Sequence, residues 1–398
     1  MKNLILILIL IAGISCTQKN KDESTFKKIK GKTEVLKVEI NNSIINKKTK
    51  LSEICDSLWY VTLESTKESM IGEMNKVIIN DKYIIVSDFY ITNEVFIFDL
   101  NGKFITKISK VGKGPFEYSG IADVCYWPKT KSIFIFDRAS KKIIEYDISG
   151  KPVREIPITF DAVNLALIDH NTFVLYVGFR ENDELKYNLI YVNNKGEIIK
   201  KAFPIDNNIL TKTSKNDQFY TFNNNLYFNP DYDNNIYCIN DNSISYKYSL
   251  DFMEKNIPTE LIINKESDEI DKEISKKKYV SSDLQFESEN YFFARLKSEN
   301  KDYFQYIYSK KEKKGTIFYN PINDLPNGFT NPFFIGNIGD VFYSIIDSEL
   351  LLMIKDDLKT SKKKLPQKNN LISMFLNYKE TDNPILCFCR INISKDLK

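Results

Sequence analysis

The chain has 398 residues, of which 42% are hydrophobic and 13% aromatic, with a formal net charge of +3. That is enough apolar material for a large core and too little basicity for a nucleic-acid-binding face. A single histidine, His170, argues against Ser-His-Asp or Cys-His catalysis and against His-rich zinc sites, and the cysteines after residue 16 are too few and scattered for a disulfide framework.

Leu4 to Ile14 is an apolar run behind Lys2, closed by Gly13 and Ser15 before Cys16. It is too short for a membrane-crossing helix, which needs about 20 apolar residues. It has the form of an export signal over 1–15 that ends at a lipidatable cysteine. The mature chain is expected to begin at an acylated Cys16, with net charge +2 once Lys2 is removed. Two or three acyl chains anchor durably, because each buried CH₂ contributes about 0.8 kcal/mol. Residues 16–34 then read as a lipidated cysteine and solvated tether, and 35–398 as a single domain.

From Leu58 onward the chain alternates short aromatic and β-branched runs with Asn, Asp, Gly, Lys and Ser, which predicts strands. Val95–Lys103, Ile143–Lys151 and Leu189–Glu197 repeat one another, with Gly102 and Gly150 48 residues apart and Gly196 another 46 residues on. Asn-Gly and Ser-Gly supply the positive φ of a tight hairpin. Tyr83–Asp88 and Ile133–Asp137 precede the first two copies, with Asp88 and Asp137 49 residues apart, so each unit holds four strands. A four-stranded unit recurring at roughly 40–50 residues is the signature of a propeller blade. The fold expected is therefore all-β, a six-bladed β-propeller of four-stranded antiparallel blades. Blades are expected near 71–109, 121–159, 162–205, 218–252, 279–319 and 329–393.

Leucine and isoleucine clusters predict a short helical insertion in the last blade, over about 348–378. Ile385–Ile391 is the final strand. Ring closure calls for an N-terminal strand in the last blade, and Trp59–Leu63 is favoured over Val35–Ile40. The lysine clusters 276–278, 310–311 and 362–364 read as solvated faces, and His170, in Asp169-His170-Asn171, as a turn residue. Cys387 and Cys389 share one strand face, which is poor geometry for bridging each other.

With Leu63-Glu64, Ile71-Gly72, Phe98–Phe104 and above all Gly112-Lys113-Gly114-Pro115-Phe116-Glu117-Tyr118, the chain resembles the six-bladed β-propeller lipoproteins of Bacteroidetes, whose blades are NHL-repeat-like. Phe116 stands where that family's G-x-G-P-G-E-Y pattern has a glycine, so a local backbone difference is expected. Asn235-Ile236-Tyr237, Tyr248–Phe252 and Asn383–Leu386 extend the resemblance over nearly all the mature chain. Lys21-Asp22-Glu23 also resembles the charged signal that sends such lipoproteins to the outer surface. The resemblance implies the cell envelope, with the lipid in the outer membrane and the domain surface-exposed or periplasm-facing, and leaves chemistry open.

The loops that usually bind ligands in a propeller gather Lys113, Glu117, Tyr118, Asp88, Asp137, Arg138, Phe179, Arg180, Asp231 and Tyr232 around one mouth. The Lys110–Tyr118 loop reads in the first place as a staple between blades, with Glu117 and Tyr118 bonding the neighbouring blade, and Asp88 and Asp137 read also as turn caps. Gly112-x-Gly114 lacks the third glycine of a dinucleotide fingerprint. Two functions remain open. One is a tethered binding or scaffold module for a glycan, peptide or protein partner, needing no cofactor and expected to be monomeric, with the bilayer as its other partner through Cys16. The alternative is a metal-assisted hydrolase or lyase of the lactonase-like type, with Ca²⁺ held by Asp88, Asp137 and Asp231, Asn171 assisting.

Overall fold

A computed structural model describes residues 24–25, 29, 31, 33–40, 48–178, 186–205, 217–241, 243–263, 265, 267–298, 303–325, 328–360 and 370–393. Six antiparallel four-stranded blades follow one another along the chain, and in the first five the strands lie side by side in sequence order. Blade one spans Lys76–Ile108, blade two Asp123–Pro157, blade three Asn164–Pro204, blade four Phe219–Asp251 and blade five Ser281–Phe318. Blade six takes Gly336–Ile338, Val341–Ile346 and Ile385–Ile391 from the C-terminal end, and its outer strand, Cys55–Thr62, from the N-terminal end. First strands touch between blades two and three, four and five, five and six, and six and one, which gathers them around a common axis.

Apolar runs with little alternation make these strands, because both faces of an inner strand are covered by the adjoining blades. Each seam between neighbouring blades holds its own buried cluster. The seam of blades one and two holds Ile85, Ile97, Val124 and Tyr146, and that of blades six and one holds Val86, Phe96, Tyr343 and Phe388. Ring closure is therefore also core formation. Phe388 pairs with Trp59 in the sheet, and their rings stack at 5.5 Å.

The repeating hairpin is chemically the same in three blades. Asp99 Oδ1 accepts from the amides of Asn101 and Lys103, Asp147 Oδ1 from Ser149 and Lys151, and Asn193 Oδ1 from Lys195 and Glu197. The turn glycines have φ of 81°, 83° and 79° at Gly102, Gly150 and Gly196. A Cβ on Gly196 would also lie 1.9 Å from the Pro157 carbonyl oxygen of the preceding blade. Glycine is needed there twice over, for its φ and for its neighbour.

Val35–Ile40, the closing strand not favoured, is used too, in another blade. Glu34–Lys37 adds a parallel fifth strand to blade four, and Ser24–Thr25 does the same for blade three. Lys50 then bridges to Ile322, and the Ser52 amide and hydroxyl donate to Asp324, before the chain enters blade six. The N-terminal segment is thus a strap around the rim of blades three to six, and it begins inside the stretch expected to be tether.

The helical insertion is two helices, Ser348–Thr360 and Asn370–Asn377, with Leu351 and Phe375 buried against blade six. A helical segment that strand periodicity hid lies between blades four and five, at Thr259–Ile262 and Ser267–Lys277. Ile270 and Ile274, one turn apart, are buried there with Leu261. Lys276 and Lys277 fall in its last turn, where cations complement the helix dipole. Among the described residues no helix is long and apolar enough to cross a membrane.

Candidate functional site

The strand order puts the connections from outer strand to next inner strand, and from second to third strand, at one end of the ring. That end carries both helical insertions and the long connections, whereas tight turns close the other. It is the loop face.

On it, Lys110–Tyr118 folds as a closed staple. The Tyr118 amide donates to the Lys110 carbonyl and the Gly112 amide to the Tyr118 carbonyl, each at 2.9 Å. Glu117 lies across the glycines, accepting from the Gly114 amide at 2.8 Å, and a Cβ on Gly112 would meet its carboxylate at 2.0 Å. Tyr118 is fully buried, its hydroxyl donating to the Asn93 carbonyl at 2.8 Å. Burial pushes that hydroxyl's pKa well above its ordinary value. Phe116 has φ of 57°, in the region glycine favours, which costs a non-glycine residue about 1–2 kcal/mol. Its amide donates to Glu155 Oε1 at 2.9 Å and its carbonyl accepts from the Tyr146 hydroxyl at 2.6 Å, tying the loop to blade two. Lys113 stands exposed at the tip.

The predicted carboxylates are engaged blade by blade. Asp88 is fully buried, with Oδ2 accepting from the amides of Gly72 (2.9 Å) and Glu73 (3.0 Å) and Oδ1 from those of Ile91 (2.9 Å) and Tyr90 (3.2 Å). Asp137, its counterpart in blade two, accepts from the Ser119 amide (2.6 Å) and hydroxyl and from the Ser140 amide (3.0 Å). Asp231, in blade four, accepts from the Tyr176 hydroxyl at 3.0 Å. Arg138 pairs with Asp161 through two bonds of 2.7 and 2.6 Å at the surface. Tyr232 packs on the helical segment after blade four, and Asn171 takes a bond from Arg154. Thus Glu117 and Tyr118 share one loop with Asp137 beside it, whereas Asp88 and Asp231 belong to other blades. Phe179, Arg180 and Cys16 lie outside the described residues. Among the described residues no three His, Cys, Asp or Glu side chains are grouped to hold a metal.

His170 is more than a turn residue. Its Nε2 lies 2.7 Å from Glu145 Oε1, which also accepts from the Ser132 hydroxyl, and Arg154 Nε donates to Glu145 Oε2 at 2.6 Å. The carboxylate stands between serine and histidine, so this is a structural knot rather than a nucleophile with its base.

A cluster that sequence reasoning missed sits on the axis. Lys76, first residue of blade one, reaches Asp123, first residue of blade two, at 2.7 Å and Asp217, just before blade four, at 3.1 Å. Blades one and four face each other across a six-bladed ring, so the second contact spans the axial channel. Asp123 also accepts from the Leu165 amide of blade three at 2.9 Å. Burial disfavours the Lys76 ammonium, yet the two carboxylates outweigh it and hold its pKa well above the ordinary value. Asp123 is pushed up by burial and by Asp217 against the pull of Lys76. The side chain of Asp217 is 32% exposed, which leaves a carboxylate facing solvent at the mouth. The repeat itself carries the signal that finds this cluster, because Lys76 and Asp123 are 47 residues apart at matching positions.

A family model described as a domain of unknown function (DUF4934) matches residues 35–390. No curated protein matches the sequence. Among solved structures, a Bacteroides fragilis protein described as exported is similar with a TM-score of 0.74 at 16% identity, over 90% of this chain and 99% of its own. A member of the DUF4221 family from Bacteroides vulgatus follows with a TM-score of 0.53 at 12% identity, over 86% of this chain and 99% of its own. At these identities the likeness is one of fold.

Proposed function

We propose a recognition function for this chain, which belongs to the family described as domain of unknown function DUF4934: it is an extracytoplasmic module that binds a glycan, peptide or protein partner through its loop face. In this reading it is a lipoprotein with NHL-like blades, held in the outer membrane by acyl chains on Cys16. The leader before Cys16 supports that address, as does likeness to a Bacteroides protein described as exported.

One observation carries the reading, the inequality of the two faces. Tight turns cost little and bind little, whereas the opposite end holds two helical insertions and an axial mouth. Long ordered connections on a rigid scaffold are where binding residues concentrate. The engagement of Asp88 and Asp137 by backbone amides supports scaffold roles for them ahead of metal ligation.

Thermal unfolding of a soluble form starting at Thr17 tests this against oligosaccharides, peptides, and Ca²⁺ with and without chelator. A bound ligand at a hundredfold excess over Kd adds about 2.7 kcal/mol of stability. A rise in Tm with an oligosaccharide or peptide is expected. A chelator-reversible rise with Ca²⁺ alone would move the reading to the metal-assisted hydrolase, and no rise with any ligand would refute recognition by these classes.

A further inference from the structure

The loop face has a second concave feature, away from the axis. At blade five the third strand begins at Tyr303 and the fourth ends at Phe318, and part of the connection to blade six folds back over them. Tyr303, Gln305, Tyr319, Asn320, Asn331 and Phe333 line the resulting cleft of about 300 Å³. That is the lower range of small-molecule sites.

Its chemistry is aromatic and amide, without net charge. Tyr319 and Phe333 are 37% and 38% exposed. The Tyr303 ring meets Phe333 edge-on, with centroids 5.8 Å apart, so the two rings form a corner. Behind the corner the Arg295 guanidinium lies 5.6 Å from the Tyr303 ring and 5.1 Å from that of Phe333. Asp283 neutralises this cation with two bonds of 2.7 and 3.1 Å. Gln305 donates to the Pro332 carbonyl at 3.0 Å and accepts from the Phe334 amide at 2.9 Å, which fixes the floor. Asn331 donates to Asn320 Oδ1 at 2.7 Å. That bond leaves the Asn320 side-chain nitrogen to donate and the Asn331 side-chain oxygen to accept.

We propose that this cleft binds a neutral saccharide unit. The aromatic corner matches the C–H faces of a pyranose ring, and the paired amides match adjacent hydroxyls, each of which donates and accepts. An anionic ligand would require a cation not already committed to a carboxylate. A proline-rich peptide would require a groove of aligned rings rather than a corner. The inference rests on the recognition reading and names its ligand class and place.

The test titrates the mature chain calorimetrically with neutral gluco-, galacto-, manno- and xylo-oligosaccharides, and with a uronic-acid oligosaccharide and a polyproline peptide as comparators. Phe333→Ala, Tyr319→Ala and Asn331→Ala are measured alongside, with Tm recorded for each, and Phe333→Tyr serves as the conservative control. We expect at least one neutral oligosaccharide to bind, with affinity falling about tenfold or more in Phe333→Ala and Tyr319→Ala at unchanged Tm and surviving in Phe333→Tyr. Saccharide binding that none of the variants weakens would overturn the site and leave the recognition reading standing. Binding of only the anionic or the proline-rich comparator would overturn the ligand class alone. Absence of binding by every probe would overturn this inference, while the wider thermal panel would still decide the recognition reading.

Discussion

Replacing Asp88 by alanine removes one carboxylate on which four backbone amides converge, from Gly72, Glu73, Tyr90 and Ile91, at 2.9 to 3.2 Å. Hydrogen bonds to a charged group contribute about 1.5–3 kcal/mol each, and they are not additive because the amides share two oxygens. We expect Asp88→Ala to cost about 4 kcal/mol, and Asp88→Asn, which keeps one accepting oxygen, about half of that. Unfolding entropy of roughly 2.1 cal/mol/K per residue over this chain gives about 0.8 kcal/mol/K, so the alanine variant should melt about 5 °C lower. Differential scanning calorimetry with and without chelator checks both the size and the cause. A loss under about 1 °C would refute the capping argument. A loss that chelator reproduces in the wild type would show instead that Asp88 acts through a bound ion.

Other outcomes follow from the same contacts. Burial pushes the Glu145 carboxyl up, but Ser132, His170 and Arg154 together hold its pKa below the ordinary value. A depressed acid contributes stability above its unfolded pKa of about 4.3 and loses it as pH falls through the folded value. Glu145→Gln should therefore be less stable than wild type near neutrality, with the gap closing below about pH 4 in urea titrations. A gap constant with pH would contradict this. Gly196→Ala and Gly339→Ala both place a side chain at positive φ, 79° and 56°, but only the first meets a carbonyl, at 1.9 Å. We expect about 1 kcal/mol lost at Gly339 and about 3 kcal/mol at Gly196, and equal losses would remove the blade-contact argument. Ending the chain at Asn383 deletes the strand that pairs with both Val341–Ile346 and Cys55–Thr62. Its circular dichroism melt should show no cooperative transition, and an unchanged melt with unchanged protease resistance would sink the closure account.

The ring was legible because its determinants are local and recur. Each hairpin needs its Asx acceptor and glycine within five residues, so Gly102, Gly150 and Gly196 announce blades at a readable period. Closure by Trp59–Leu63 was legible too, since a propeller leaves one strand to be found. The helix Ser267–Lys277 was not, because only Ile270 and Ile274 give it an apolar face. The site was less legible than the fold for a physical reason. Lys76, Asp123 and Asp217 meet only after six blades have set the diameter of the channel. Asp88 and Asp137, conspicuous in the sequence, proved to be engaged by the backbone at their own blade.

The strap around the rim has a mechanical consequence. Load applied at the N-terminal end meets first a two-residue pairing at blade three, then a four-residue pairing at blade four, then the isolated bridge at Lys50, and only last the eight-residue strand that closes the ring. Short pairings rupture before long ones, so the rim yields in graded steps while the ring stays shut. Peeling residues 24–50 free would pay out roughly 90 Å of chain at about 3.4 Å per residue. If the chain is held at that end, as the proposed acyl anchor at Cys16 would hold it, the line lengthens under tension and the outermost pairings act as sacrificial links that spare the ring.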